Sequence, residues 1–125
     1  MKKTKMLKKN NEFRKVLTKG QYFSGKYIEA FVLKNNTKYN FLGLAISVKT
    51  AKAVKRNLIK RLIRENYKNN EELLKTGYSI VFLWKKKADI KDINFSNIKQ
   101  DVEHIIEKSN LKTSKENIWK KYLFV

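Results

Sequence analysis

The stretch from Ala53 to Tyr67 restricts the fold more than any other part of the chain. At about 100° per residue, Val54, Leu58, Ile59, Leu62 and Ile63 sweep out one broad arc of a helix. Arg56, Asn57, Lys60, Arg61, Arg64 and Lys68 fill the opposite arc. A helix divided in this way lays its apolar arc on another layer of structure and leaves its charged arc to solvent or a partner. Arg56, Lys60 and Arg64 form an i, i+4, i+8 ridge, with Asn57, Arg61 and Lys68 alongside. Helix neighbours four apart lie roughly 6 Å from each other, about the separation of successive phosphates, and like charges so placed repel by a few tenths of a kcal/mol per pair. A polyanion would relieve that repulsion.

The flanking segments supply the layer on which the helix can rest. Tyr27 to Leu33 is aromatic and β-branched and reads as a strand, preceded by an extended piece at Gln21 to Ser24. After a polar turn at Lys34 to Tyr39, Asn40 to Val48 alternates. Leu42, Leu44, Ile46 and Val48 point to a core, whereas Phe41, Gly43, Ala45 and Ser47 form a mostly small-residue face that a backbone can approach. The basic helix is expected from about Lys52 to Lys68, followed by a turn at Glu71 to Leu74 that stops at Gly77. Tyr78 to Trp84, apolar almost without break, reads as a strand buried on both faces. Strand, helix and strand in this order imply a parallel pair, with a right-handed crossover as the default. A first helix capped by Asn10 or Asn11 and stopped by Gly20 carries Phe13, Val16 and Leu17 on one stripe. Val16 belongs to the core, while Phe13 and Leu17 suit either core or the floor of a groove. Asn94 or Ser96 caps a helix to about Ser109 with Ile98, Val102, Ile105 and Ile106 inward. Ser114 is a cap for a last helix carrying Ile118, Trp119 and Tyr122. Met1 to Lys9, with five lysines, is expected to be a mobile basic arm anchored by Leu7.

Charge narrows the choice of partner. Thirty Lys and Arg face 11 Asp and Glu, a net charge of +19 and a pI near 10.1. Self-repulsion of this size works against a compact monomer, and nucleic acid is the natural counter-charge. The longest apolar run, Ile80 to Trp84, is too short to span a bilayer. No apolar segment follows the basic N-terminus, so neither signal peptide nor membrane anchorage is expected, and the expected location is cytoplasmic. The 125 residues contain no cysteine, which excludes disulfides and thiolate metal sites, and they suffice for one domain.

Little in the chain suits bond cleavage. A protein-borne nuclease site gathers carboxylates around Mg²⁺ or uses a histidine for proton transfer. Asp89 and Asp92 lie among lysines, Asp101 and Glu103 are two apart on a helix, and His104, the one histidine, falls off the apolar stripe. The residues that remain are donors and aromatics, which bind and position RNA.

The run Ala53-Val54-Lys55-Arg56-Asn57-Leu58-Ile59-Lys60-Arg61-Leu62-Ile63-Arg64-Glu65 resembles the signature helix of the bacterial ribonuclease P protein family. Leu7 to Leu17, Gly20 and Gly43 to Ser47 extend the resemblance. It implies an α/β (α+β) two-layer sandwich with a small mixed sheet of about four strands, similar to a ribosomal-protein domain, and a left-handed crossover in place of the default. It also implies a function: binding the catalytic ribonuclease P RNA and the 5′ leader of precursor tRNA, and assisting endonucleolytic removal of that leader. The RNA would carry the chemistry, with Mg²⁺ bound by RNA and substrate rather than by a protein site; no protein partner is indicated. Carried over by position, Lys49, Lys52, Arg56, Asn57, Lys60, Arg61, Arg64 and Lys68 would face the catalytic RNA. Phe13, Leu17 and Phe31, with Arg56 and Asn57 at the edge, would hold the leader. Three positions depart from the family pattern: Leu17 where a second aromatic is usual, Val48 where one of two paired lysines is usual, and Leu58 where the second arginine of Arg-Asn-Arg is usual. Two alternatives share the charge. One is a basic ribosomal or structural RNA-binding protein of related fold, and the other a DNA-binding protein using the same helix, for which Asn57 and Arg61 are thin material for base readout.

Overall fold

The structure is a computed structural model, and it describes residues 1–113. Strands β1 (Thr4–Met6), β2 (Gln21–Ser24), β3 (Ile28–Lys34), β4 (Asn40–Leu44) and β5 (Tyr78–Trp84) form one sheet in the order β1-β4-β5-β3-β2. The β1/β4 and β4/β5 pairs are parallel, and β3 is antiparallel to both β5 and β2. Helices α2 (Ala53–Asn70) and α3 (Phe95–Lys108) cover one face, and the shorter α1 (Asn10–Lys19) lies on the other. The mixed α/β sandwich is as expected, with a fifth strand, β1, added to the sheet.

That strand corrects the reading of Met1 to Lys9 as a mobile arm. Thr4 to Met6 pairs in register with Asn40 to Leu42, the Thr4 hydroxyl meets the buried Tyr67 hydroxyl at 2.8 Å, and Leu7 is buried. Only a few apolar and hydroxyl groups are needed to dock an edge strand that has a free ladder beside it, so five lysines did not keep the segment in solvent. The main core lies between the sheet and α2/α3. Ile28, Ala30 and Val32 of β3, Leu42 of β4, and Ile80, Phe82 and Trp84 of β5 meet Ile59, Leu62, Ile63 and Tyr67 of α2 and Ile98, Val102, Ile105 and Ile106 of α3. Burying each such aliphatic side chain contributes about 1.5 to 3 kcal/mol.

Two expected core residues are outside it. Val54 is 78% exposed because α2 buries side chains only from Ile59 onward, its first turn reaching past the layer beneath. Val48 is 75% exposed because β4 ends at Leu44 and inward packing continues only as far as Ile46. The helix starts differ too. Lys9 and Lys52 occupy the N-caps of α1 and α2 without side-chain hydrogen bonds, whereas Asn94 caps α3 as expected, accepting from the Asn97 N–H at 2.8 Å. At Gly20 the backbone turns extended (φ −74°) rather than left-handed; glycine is needed because a Cβ would lie 2.4 Å from the Val16 carbonyl oxygen. Asp101, weighed above as a possible ligand, is buried and accepts backbone N–H bonds from Lys26, Tyr27 and Ile28 at 2.9, 2.6 and 3.0 Å. It ties α3 to the start of β3. The expected helix at Ser114, with Ile118, Trp119 and Tyr122, lies outside the described residues.

Candidate nucleic-acid interface

The charged arc of α2 is presented to solvent. Lys52, Asn57, Arg61, Arg64 and Lys68 are exposed, and Arg56 and Lys60 are partly covered. The two covered residues are held in different ways. Arg56 Nη1 donates to the Ala51 carbonyl at 2.6 Å, so this guanidinium braces the loop leading into the helix. Lys60 lines a hollow of about 440 Å³ with Asn10, Phe13, Leu44, Ala45, Ile46 and Ser47, where α2 comes near the start of α1. Arg61 pairs loosely with Glu65 at 3.8 Å, both well exposed, which leaves the arginine free to exchange partners. Lys49 stands beyond the end of β4, beside a second hollow shared with Ser47, Thr50, Trp84 and Lys86. No carboxylate occupies the first turn of α2, and its N-cap side chain makes no hydrogen bond, so the positive end of the helix dipole adds to these charges.

The second part of the site is the sheet face that carries α1. The register sets two rows across it. Tyr22, Phe31, Val81 and Gly43 form one, and Ser24, Glu29 and Leu83 the other, with Ala45 continuing it through its N–H bond to the Phe82 carbonyl. Helix α1 sets Phe13, Val16 and Leu17 against Phe31, Leu33, Phe41, Ala45 and Leu83. Val16 is fully in this core, whereas Phe13, Leu17 and Phe31 are partly covered. Phe13 and Phe31 therefore both pack and present an edge. Gly43 admits Phe13, since a Cβ there would stand 2.6 Å from Phe13 Cε1. The small-residue face thus receives the chain's own aromatic ring at this point. Phe13, Leu17, Phe31, Leu83 and Ala45 are all partly covered beside α1, and at the α2 end of this face Phe13, Ala45 and Lys60 line the open hollow, which makes this face the candidate groove.

A family model described as Ribonuclease P matches residues 1–110. The chain belongs to the ribonuclease P protein family. The ribonuclease P protein component of Clostridioides difficile is 37% identical over 110 residues, covering 87% of this chain and 95% of that protein. The Staphylococcus aureus RNase P protein has a similar structure, with a TM-score of 0.76 at 28% identity over 86% of this chain and 97% of that one. A variant of the Staphylococcus protein described as defective in mRNA degradation activity is similar as well, with a TM-score of 0.75 at 28% identity over 85% of this chain and 88% of that one.

Within the ribonuclease P frame the three departures have visible consequences. Leu58 is partly buried against the main core, so it adds packing where the signature has an arginine. Val48 stands exposed beside Lys49 without contributing charge, and Leu17 keeps the groove wall apolar without a ring to stack. Sequence reasoning missed two residues of this face, Tyr22 and Glu29. Tyr22 is 49% exposed, its ring centroid is 5.3 Å from that of Phe31, and its hydroxyl donates to Glu29 Oε2 at 2.6 Å. That hydrogen bond is the main reason the Tyr22 phenol is held above its ordinary range. The missed signal was the alternation within Gln21 to Ser24, which puts Tyr22 and Ser24 on the α1 face of an edge strand. Of the three lysines after β5, Lys85 is tied back, Nζ donating to Ser24 Oγ at 2.8 Å and to the Gly25 carbonyl at 3.1 Å.

Proposed function

We propose that this chain binds the catalytic ribonuclease P RNA with the charged face of α2 and the 5′ leader of precursor tRNA in the groove between α1 and the sheet. Family membership supports the role. The observation that carries the assignment of surfaces is the meeting of the two at Lys60, which belongs to the α2 ridge and also lines the hollow beside Phe13. Phosphate donors of the ridge therefore adjoin, through Lys60 and Phe13, a face that carries the partly covered rings of Phe13 and Phe31. Lys and Arg substitute for counterions that two polyanions would otherwise condense. Aromatic rings stack by their faces on unpaired bases, and the leader is the single-stranded segment that distinguishes precursor from mature tRNA.

The cleavage chemistry belongs to the RNA in this reading. Among the described residues no three His, Cys, Asp or Glu side chains come together as a metal site. The buried acids are engaged in the fold and lie apart: Asp101 accepts three backbone N–H groups, and Glu71 Oε1 accepts from the Lys2 N–H at 3.1 Å while its buried Oε2 has no hydrogen-bond partner. This donor set does not suit a dedicated Mg²⁺, and the ion is assigned to the RNA and substrate. In the described residues no helix is long and apolar enough to cross a membrane. The test is precursor tRNA cleavage at low Mg²⁺ with and without cognate ribonuclease P RNA. The reading predicts 5′ maturation only when the RNA is present. Cleavage of precursor tRNA that copurifies with RNA-free protein would overturn it, a control given weight by the mRNA degradation activity ascribed to the Staphylococcus relative.

A further inference from the structure

Glu29 is out of place on this surface. In a chain with 30 basic and 11 acidic residues, it is the one carboxylate that the strands direct to the α1 face. It lies in the row next to Phe31 and faces Leu83 across the β3/β5 pair. Its Oε2 accepts from the Tyr22 hydroxyl at 2.6 Å, and no other side-chain hydrogen bond engages the carboxylate among the described residues. The Tyr22 ring in turn lies against Phe31, tilted by 57°. The α1 face of the sheet therefore has unlike ends, with Lys60 in the hollow beside α2 and a hydrogen-bonded carboxylate at the β2 edge. Lys85 stands near that second end, but its ammonium is held by Ser24 Oγ and the Gly25 carbonyl.

A carboxylate beside an aromatic pair has a definite chemical preference. It repels phosphate and accepts hydrogen bonds, so a strand passing over it is favoured with a base, rather than its backbone, turned to the β2 edge. Cytosine and adenine present an exocyclic amino donor, whereas uracil presents a keto oxygen at the corresponding position, facing the carboxylate acceptor to acceptor. Resting on the leader-binding reading above, we propose that Glu29, oriented by Tyr22, accepts from the exocyclic amino group of a leader base stacked on Phe31 and makes the groove favour amino-bearing bases over uracil. Tyr22 acts as a positioning residue, donating its proton to one oxygen and leaving the other to the base.

The experiment uses the protein reconstituted with cognate ribonuclease P RNA and precursor tRNAs that differ by a single cytidine-to-uridine change at successive leader positions. At one position the wild-type holoenzyme should bind the cytidine form about tenfold more tightly. Glu29→Gln keeps the shape but offers both a donor and an acceptor, and should reduce the ratio to about twofold or less. Tyr22→Phe keeps the ring and loses the hydroxyl. It should give an intermediate ratio while preserving the preference for precursor over mature tRNA. Equal binding of the two forms at every position, or a ratio unchanged by Glu29→Gln, overturns the proposal. If precursor is still preferred over mature tRNA in that outcome, the leader-binding reading survives; if that preference is missing from the wild type, the reading itself has failed.

Discussion

Phe31 is in contact with Val81 and Leu17 in the minor core and with Tyr22 at the groove edge, so truncating it has two separable effects. Phe31→Ala should cost about 3 kcal/mol of folding stability, the low end for a phenylalanine because the ring is only partly covered. It should also lower affinity for precursor tRNA by the 1 to 3 kcal/mol typical of a lost base stack while leaving mature tRNA nearly unaffected. Parallel urea titrations and binding isotherms would separate the two, and equal weakening for both RNAs would assign Phe31 to packing alone. Leu17→Phe restores the ring common in the family and should strengthen leader binding. Tyr67 gives a prediction of a different kind. Burial is the main cause that raises its phenol above 10.0, with the hydrogen bond to Thr4 acting the other way. The folded value exceeds the unfolded one, so the stabilisation is present in full below pH about 10 and is lost as pH rises through the raised value. Tyr67→Phe should lose about 1 kcal/mol at neutral pH, leaving the Thr4 hydroxyl short of a partner, and should show a shallower alkaline decline than the wild type. Urea midpoints measured from about pH 9 to 11 would check this.

Helix α2 carries features that lower its own stability and suit the proposed binding of RNA. Its ridge repels itself, its first turn holds no acid, and Lys52 stands at an N-cap where Ser, Asp or Asn would accept a hydrogen bond. Lys52→Asp should raise stability by about 1 kcal/mol through capping and the helix dipole. It should at the same time weaken binding to ribonuclease P RNA. A thermal melt and a binding titration on the same preparation decide it, and a variant neither more stable nor weaker in binding would contradict the account. Arg64→Ala should reduce the slope of log affinity against log salt by about 0.9 with no change in stability. Arg56→Ala should do the same and also loosen the start of α2, because its guanidinium holds the Ala51 carbonyl. At this scale the sequence was most informative. The periodicity of Ala53 to Lys68 and the unbroken apolar run Tyr78 to Trp84 gave α2 and β5 almost to the residue, since each pattern spans a whole buried element. Patterns that depend on where a neighbour ends were not legible. Val48 and Val54 continue their local alternation and periodicity, yet the layer that would cover them has already stopped. Of the candidate groove, Phe13, Leu17 and Phe31 were named by resemblance and share the minor core, whereas Tyr22 and Glu29 meet only through the β2/β3 register.

For the whole molecule, the sheet connects the two proposed binding surfaces, and β1 forms one of its edges. Thr4 to Met6 extends β4 by parallel pairing and brings Thr4 onto Tyr67 of α2, so the basic N-terminal segment is part of the fold. Deleting residues 1–6 should therefore lower the melting temperature in protein alone, with no RNA present; an unchanged melt would mean that β1 contributes nothing to the folded state. A net charge of +19 spread over this body also predicts that salt and polyanions stabilise the free protein, by screening self-repulsion. The central claim is a division of labour, with α2 serving both RNAs through charge and the α1 groove serving only the leader. The most direct test is the ratio of holoenzyme affinities for precursor and mature tRNA, measured for wild type, Phe31→Ala and the combined Arg61→Ala, Arg64→Ala, Lys68→Ala variant, whose three positions are exposed on α2 away from the α1 hollow, assembled with cognate RNA. The account predicts that Phe31→Ala brings the ratio towards one, while the triple variant weakens both affinities and leaves the ratio largely in place. A ratio unmoved by Phe31→Ala but abolished by the triple variant would contradict it.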